Sequence, residues 1–165
     1  MQTFQRLVDD ANKSFQTADH LASSTYPLIR DAKLLLVITE NMYKTLFKGM
    51  EAVLHYERLY KRIPPLNNDF SSVFYAFKEK CVPRYGFSRE SIMVIQDIRA
   101  ILEHQKHAPI EFRRGADRFI MADRDFRMQS LDITKVKNYL KITKEFVFKV
   151  NSVYNKAIAT HARGM

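Results

Sequence analysis

A chain of 165 residues with 27 Lys plus Arg against 18 Asp plus Glu carries a formal charge of +9 at neutral pH. That length suits one domain, 1–165, and 46% apolar residues including 12 Phe and 8 Tyr supply a core. Four Gly, five Pro and one Cys exclude collagen-like, low-complexity and disulfide-framework chains and argue against a many-turned sandwich or barrel.

Along the chain, Phe4, Leu7, Val8, Ala11, Phe15 and Ala18 recur at helical spacing and predict an amphipathic helix ending near Ser23-Ser24-Thr25. Asp9, Asp10 and Lys13 interrupt any apolar run there, so no secretory leader is expected. Pro27 suits a first helical turn. From it to Arg62 the apolar residues Leu34, Ile38, Met42, Leu46, Met50, Val53 and Leu54 keep helical period. This stretch predicts one long helix or two bent near Gly49, ended by Pro64-Pro65. Its Leu34–Ile38 run is the longest apolar stretch and falls far short of the roughly twenty residues of a membrane span. The expected location is cytoplasmic, with no membrane partner.

Asn67-Asn68-Asp69 is an N-cap cluster for a third helix with Phe70, Val73, Phe74, Phe77 and Cys81 on one face, closed by a loop at Pro83 and Gly86. Cys81 reads as a small buried hydrophobe rather than a nucleophile. Ser88 caps a fourth helix with Ile92, Ile95, Ile98, Ile101 and Leu102, which stops before Pro109. Residues 110–131 do not read as helix. Arg118–Met121 and Phe126–Gln129 flank a turn-like Ala122–Asp125 and predict a short β-hairpin, with Gly115 allowing a positive φ before it. A final helix follows Asp132, carrying Val136, Leu140, Thr143, Val147, Val150, Tyr154 and Ala157 in a near-heptad seam. The expected fold is an all-α helical bundle of about five helices, with a small β-hairpin or irregular insert before the last helix.

The charge is uneven. Residues 131–165 hold seven Lys and Arg against Asp132 and Glu145, a net of +5, while 1–62 and 63–130 each hold +2. Lys137, Lys141 and Lys144 share one helical face, which is either an ordinary solvated side or a phosphate-attracting stripe. Arg113, Arg114, Arg118, Arg124 and Arg127 suit bidentate phosphate contacts, yet Glu111, Asp117, Asp123 and Asp125 interleave with them. Arg113, Arg114, Lys137, Lys141 and Lys144 are the candidate nucleic-acid contacts. Tyr56 and Tyr60 with Arg58, Lys61 and Arg62 form a second basic-aromatic group, able to stack on bases or to snorkel over the core.

One pattern has catalytic character. Arg99 and His104 stand five residues apart near the end of the fourth helix, with His107 one turn on. A histidine beside a guanidinium could move the proton of a ribose 2′-hydroxyl while the arginine neutralises phosphate charge. Five helical steps place the two about 140° apart around the axis. Arg99–Glu103 and Glu103–His107 are meanwhile ordinary i, i+4 neighbours. Gly-rich nucleotide loops and serine-hydrolase elbows are absent, and neither a metal site nor a cofactor is expected.

A helical bundle with Arg-x4-His near the end of a late helix resembles the HEPN superfamily, whose motif is an arginine, four to six residues, then a histidine. Many members are metal-independent endoribonucleases working as dimers with the motif in the subunit cleft; others bind nucleic acid or nucleotides without cleaving. The resemblance rests on Arg99 and His104 and on overall helicity, and it implies that these two are the catalytic pair, RNA the partner and a homodimer the assembly. Ala100 departs from the polar residue that often follows the arginine in active members. The alternative is a non-catalytic protein-interaction module dimerising through its last helix.

Overall fold

In the computed structural model, which describes residues 1–164, helix α1 begins at Gln2 and buries Phe4, Leu7, Val8, Ala11 and Ala18. It does not stop at the serine cluster. Gln2–His20 continues through a π-turn, Leu21–Thr25, into a last turn, Tyr26–Ile29, and ends where Arg30 takes a left-handed φ of 53°. Pro27 therefore sits inside the end of α1 and does not open the next helix. A proline lacks the N–H of the i−4 bond and its ring presses on that carbonyl. The widened turn just before it, where the Tyr26 amide reaches back to the Leu21 carbonyl, relieves that conflict.

Helix α2, Lys33–Leu59, is one element, shorter than the 27–62 stretch that periodicity suggested. It buries residues right around its circumference, from Leu35 and Leu36 to Leu54, because it is the central helix that α1, α3, α4 and α5 all pack against. Gly49 is not a bend. A Cβ there would lie 2.4 Å from the Phe146 ring, so glycine is what lets α5 approach α2 at this level.

Helix α3 starts at Phe70, capped by the Asp69 carboxylate accepting from the Ser72 amide at 3.0 Å. Phe70–Ala76 runs through a second π-turn, Phe77–Cys81, into Val82–Tyr85, and Gly86 closes it at φ 74°. Pro83 thus lies within the helix rather than in the loop expected there. Cys81 is fully buried, and burial, followed by the nearby Glu57 carboxylate, pushes its thiol up to about 12. Helix α4, Arg89–Lys106, follows the Ser88 cap as expected.

The insert is larger than a hairpin. Strands β1 (Ile110–Arg114), β2 (Arg118–Ala122) and β3 (Met128–Asp132) form an antiparallel sheet in the order β1-β2-β3. Pairings run from Ile110↔Ala122 to Arg114↔Arg118 and from Arg118↔Asp132 to Ala122↔Met128. Gly115 has φ 68°, as its place in the β1–β2 turn requires. Strand β1 escaped notice because all five of its residues are exposed, so no burial alternation marks it. Phe119, Met121 and Leu131 turn the other face of the sheet into the core.

Helix α5, Ile133–Arg163, begins at the Asp132 cap, whose carboxylate accepts from the Lys135 amide at 2.8 Å. Its near-heptad seam is spent on the chain's own core. Val136, Leu140, Thr143, Val147, Val150 and Ala157 are buried, and α5 packs against α1 and α2. Asn12 and Asn151 exchange amide hydrogen bonds of 3.1 and 2.8 Å and pin α1 to α5 in register. No helix among the described residues is long and apolar enough to cross a membrane.

Candidate functional site

Arg99 and His104 face different neighbours. The Arg99 guanidinium turns toward α2 and α3. It donates to the Tyr43 hydroxyl at 3.1 Å, pairs with Glu103 at 3.0 Å and lies over the Phe70 ring, 4.8 Å from its centroid. His104 turns toward the sheet, where its Nε2–H donates to the Met121 carbonyl at 3.1 Å. A carbonyl can only accept, so that ring nitrogen carries hydrogen and is directed at the backbone. The two side chains share none of these partners. Glu103 also takes Lys106 at 3.0 Å, and its carboxyl is held below the usual range first by that bond.

Of the two β1 arginines, Arg113 is engaged by an acid. Its Nε and Nη2 donate to the Asp31 carboxylate at 2.7 and 3.4 Å, tying β1 to the turn between α1 and α2. Arg113 in turn holds the Asp31 carboxyl below its ordinary value. Arg114 is exposed, with Arg118 as its cross-strand partner.

The α5 lysines do come together. Lys137, Lys141 and Lys144 line one groove between α1 and α5, of about 360 Å³, with Phe15, Ala22 and Leu140 as its apolar floor and Asp19 its one acid. Among the described residues there are eight ion pairs, and none uses a cation of α5. Lys149 and Lys156 lie farther along the same helix, rotated by about 100° from the first group. From Lys137 to Lys156 the unpaired cations extend over about 28 Å at 1.5 Å per residue.

On the side of α5 that carries Lys149 and Lys156 lies a second depression, of about 260 Å³, between the end of α2, the last turn of α3 and α5. Its walls carry Arg62, Arg84, Lys149 and Lys156, with Tyr56 and Tyr85 beside them. Beneath them lies Glu57, 2% exposed. Its carboxylate accepts Arg62 Nε at 2.9 Å and Nη2 at 3.3 Å, pairs with Arg84 Nε at 3.4 Å and accepts the Tyr85 hydroxyl. The Arg62 guanidinium lies against both Tyr60 and Tyr56, 4.9 and 5.4 Å from their centroids. Burial, then Glu57, pushes the Tyr85 phenol up to about 12, so it serves as a donor at neutral pH.

Tyr56, Tyr60 and Arg62 were visible in the sequence as a basic-aromatic group, while Glu57, Arg84, Lys149 and Lys156 were missed. The available signal was Lys149-Ser152-Lys156-Thr160, spaced three, four and four, which lines one helical face with alternating ammonium and hydroxyl donors. Arg84 carried none, since its position depends on α3 continuing past Pro83.

Neither a protein-family model nor a solved structure matches the chain. Among curated proteins, the uncharacterised protein 098R of Invertebrate iridescent virus 6 is 27% identical over 89 residues. That match covers 49% of this chain and 15% of the viral protein, so the chain spans well under a fifth of the relative's length.

Proposed function

We propose that this protein binds RNA through its phosphate backbone, along the exposed cationic face of α5, without cutting it at Arg99 and His104. The observation that carries this reading is that Lys137, Lys141 and Lys144 converge on one groove whose single acid is Asp19, and that no α5 cation enters an ion pair among the described residues. Unpaired lysines above an apolar floor attract polyanions and release their counterions on contact. Arg99 and His104, by contrast, are each committed to neighbours within the chain.

Fluorescence anisotropy with short single-stranded RNA tests the proposal. Affinity falls as salt rises, and Lys137→Gln/Lys141→Gln/Lys144→Gln lowers the salt slope by about 2, at about 0.7 per lost phosphate contact on single strands. Arg99→Ala and His104→Ala leave affinity unchanged, and neither wild type nor variants cleave the RNA in EDTA. Salt-independent binding, or a triple variant that binds like wild type, refutes the backbone reading. EDTA-resistant cleavage lost in Arg99→Ala and His104→Ala would restore the ribonuclease expectation.

A further inference from the structure

The depression beside Lys149 and Lys156 differs in construction from the groove of Lys137, Lys141 and Lys144. We propose that it is a receptor for a phosphomonoester, the terminal phosphate of an RNA strand lying on α5. The strand half of this statement rests on the function proposed above, and the phosphate half stands on the pocket alone.

Four cations, Arg62, Arg84, Lys149 and Lys156, line the space, and the one carboxylate paired with any of them, Glu57, is buried behind the two arginines, which leaves three positive charges uncompensated. The C-terminal poles of α2 and α3 also open here, each worth about half a negative charge, which reduces the excess without cancelling it. A terminal phosphate carries about −1.5 to −2 at pH 7, close to what remains, whereas an internal phosphodiester carries only one charge.

The buried acid is the part a simple solvated patch would not contain. Isolated buried ion pairs stabilise folds weakly, because desolvation consumes their attraction. Glu57 instead orders its neighbours. It takes Nε and Nη2 of Arg62 but approaches Arg84 most closely at Nε, 3.4 Å away, so Arg84 is the more loosely held of the two and its guanidinium can turn donors to an oxyanion. Opposite them, Lys149, Ser152, Lys156 and Thr160 descend one face of α5 as a ladder of donors. Tyr85 gives its hydroxyl to Glu57, and with its phenol pushed up to about 12 it adds no second anion.

Size limits the occupant. About 260 Å³ lies just below the ordinary range of roughly 300–1,000 Å³ for whole small-molecule ligands, so the pocket holds a phosphate with its adjoining sugar and not a dinucleotide.

The test is calorimetric titration of the full chain with adenosine 5′-monophosphate, adenosine and inorganic phosphate. It is joined by competition between short RNAs bearing a 5′-phosphate, a 3′-phosphate or neither. The expected result is that the monophosphate binds at least about tenfold tighter than adenosine, as losing charge-assisted hydrogen bonds requires. Its affinity rises between about pH 5.5 and 7.5 as the second phosphate proton leaves near pH 6. One phosphorylated RNA outcompetes the unphosphorylated strand by a similar factor. Lys156→Gln and Arg84→Gln, both exposed and checked for folding by circular dichroism, abolish both preferences. The triple α5 variant weakens RNA but leaves the monophosphate unaffected.

Equal binding of monophosphate and adenosine overturns the pocket, as does a preference that survives both variants. Inorganic phosphate that competes fully while neither RNA end gains affinity overturns the strand end in favour of a free phosphomonoester. A chain that binds the monophosphate but no RNA overturns the proposed function and leaves the pocket standing.

Discussion

Replacing Gly49 by alanine sets two effects of known size against each other. In the interior of α2 the change gains about 1 kcal/mol of helix propensity. The new Cβ, however, would stand 2.4 Å from Phe146 Cε1, 2.9 Å from Cζ and 3.3 Å from a Val150 methyl. Carbon atoms prefer about 3.5–4.0 Å, so the ring edge must retreat by about 1 Å. It has nowhere to go. Phe146 is 1% exposed, and the rings of Phe87 and Phe77 stand 5.4 and 6.0 Å from its centroid. Overpacking of a tight core costs about 1–3 kcal/mol, and an overlap this large belongs at the upper end. The net expectation is a loss of about 2 kcal/mol, or about 4–8 °C in Tm for a domain of this size. Urea denaturation of Gly49→Ala, Phe146→Leu and the double variant measures it, with a coupling of at least about 1 kcal/mol expected between the two sites. A Gly49→Ala variant as stable as wild type, or a coupling near zero, would refute the claim that close approach of α5 selects this glycine.

Lys141→Glu separates stability from binding. It converts the like-charge neighbours Lys137–Lys141 and Lys141–Lys144 into opposite-charge ones and turns Lys141–Glu145 into a like-charge pair, for a net gain of about 0.5 kcal/mol. RNA affinity falls at the same time, and a variant that is both less stable and weaker in binding contradicts the assignment of this face to a ligand. His55 supplies a pH dependence. Burial, aided by nearby cations including Arg58 and Arg6, holds its pKa below 6.5. The unfolded chain therefore takes up a proton near pH 6.5 that the folded chain does not accept until lower pH. Stability from this group is present above that value and is lost as the pH falls from there toward the folded pKa. The wild-type urea midpoint should drop on acidification from about pH 7.5 to 5.5 by more than that of His55→Gln; parallel curves for the two proteins would exclude the effect.

The helices were legible because burial and periodicity coincide in them. The stripe of α4 and the seam of α5 appear in the structure at the positions their spacing marks. What spacing could not reveal was where a helix ends when its terminators are absorbed. Pro27 and Pro83 each read as a boundary and each lies one turn inside, because a π-turn upstream accommodates the ring. Strand β1 lacked alternation because it is an exposed edge. At the candidate sites, the lysine face of α5 was visible because it lies on one helix. The pocket was not, because its walls come from three helix segments and its organising carboxylate is a lone glutamate among basic residues.

The two misread prolines belong to one device used twice. In α1 and in α3 a π-turn of five residues is followed by a four-residue turn with proline second, and a left-handed residue, Arg30 or Gly86, then stops the helix. An interior proline costs a helix about 3 kcal/mol, so this arrangement does nothing for the helices themselves. Its effect is tertiary. In α1 it sets Tyr26 so that its hydroxyl donates to the Ala116 carbonyl at 2.8 Å, fastening the helix to the β1–β2 turn. In α3 it sets Arg84 and Tyr85 against Glu57, at the floor of the basic pocket. π-turns recur at functional sites because widening a helix re-aims the side chains after it. A helix that simply ended at Cys81 would leave Glu57 with Arg62 alone. With the turn retained, the same carboxylate orders two arginines and a tyrosine, and the unpaired charge of α5 ends in a site of defined shape.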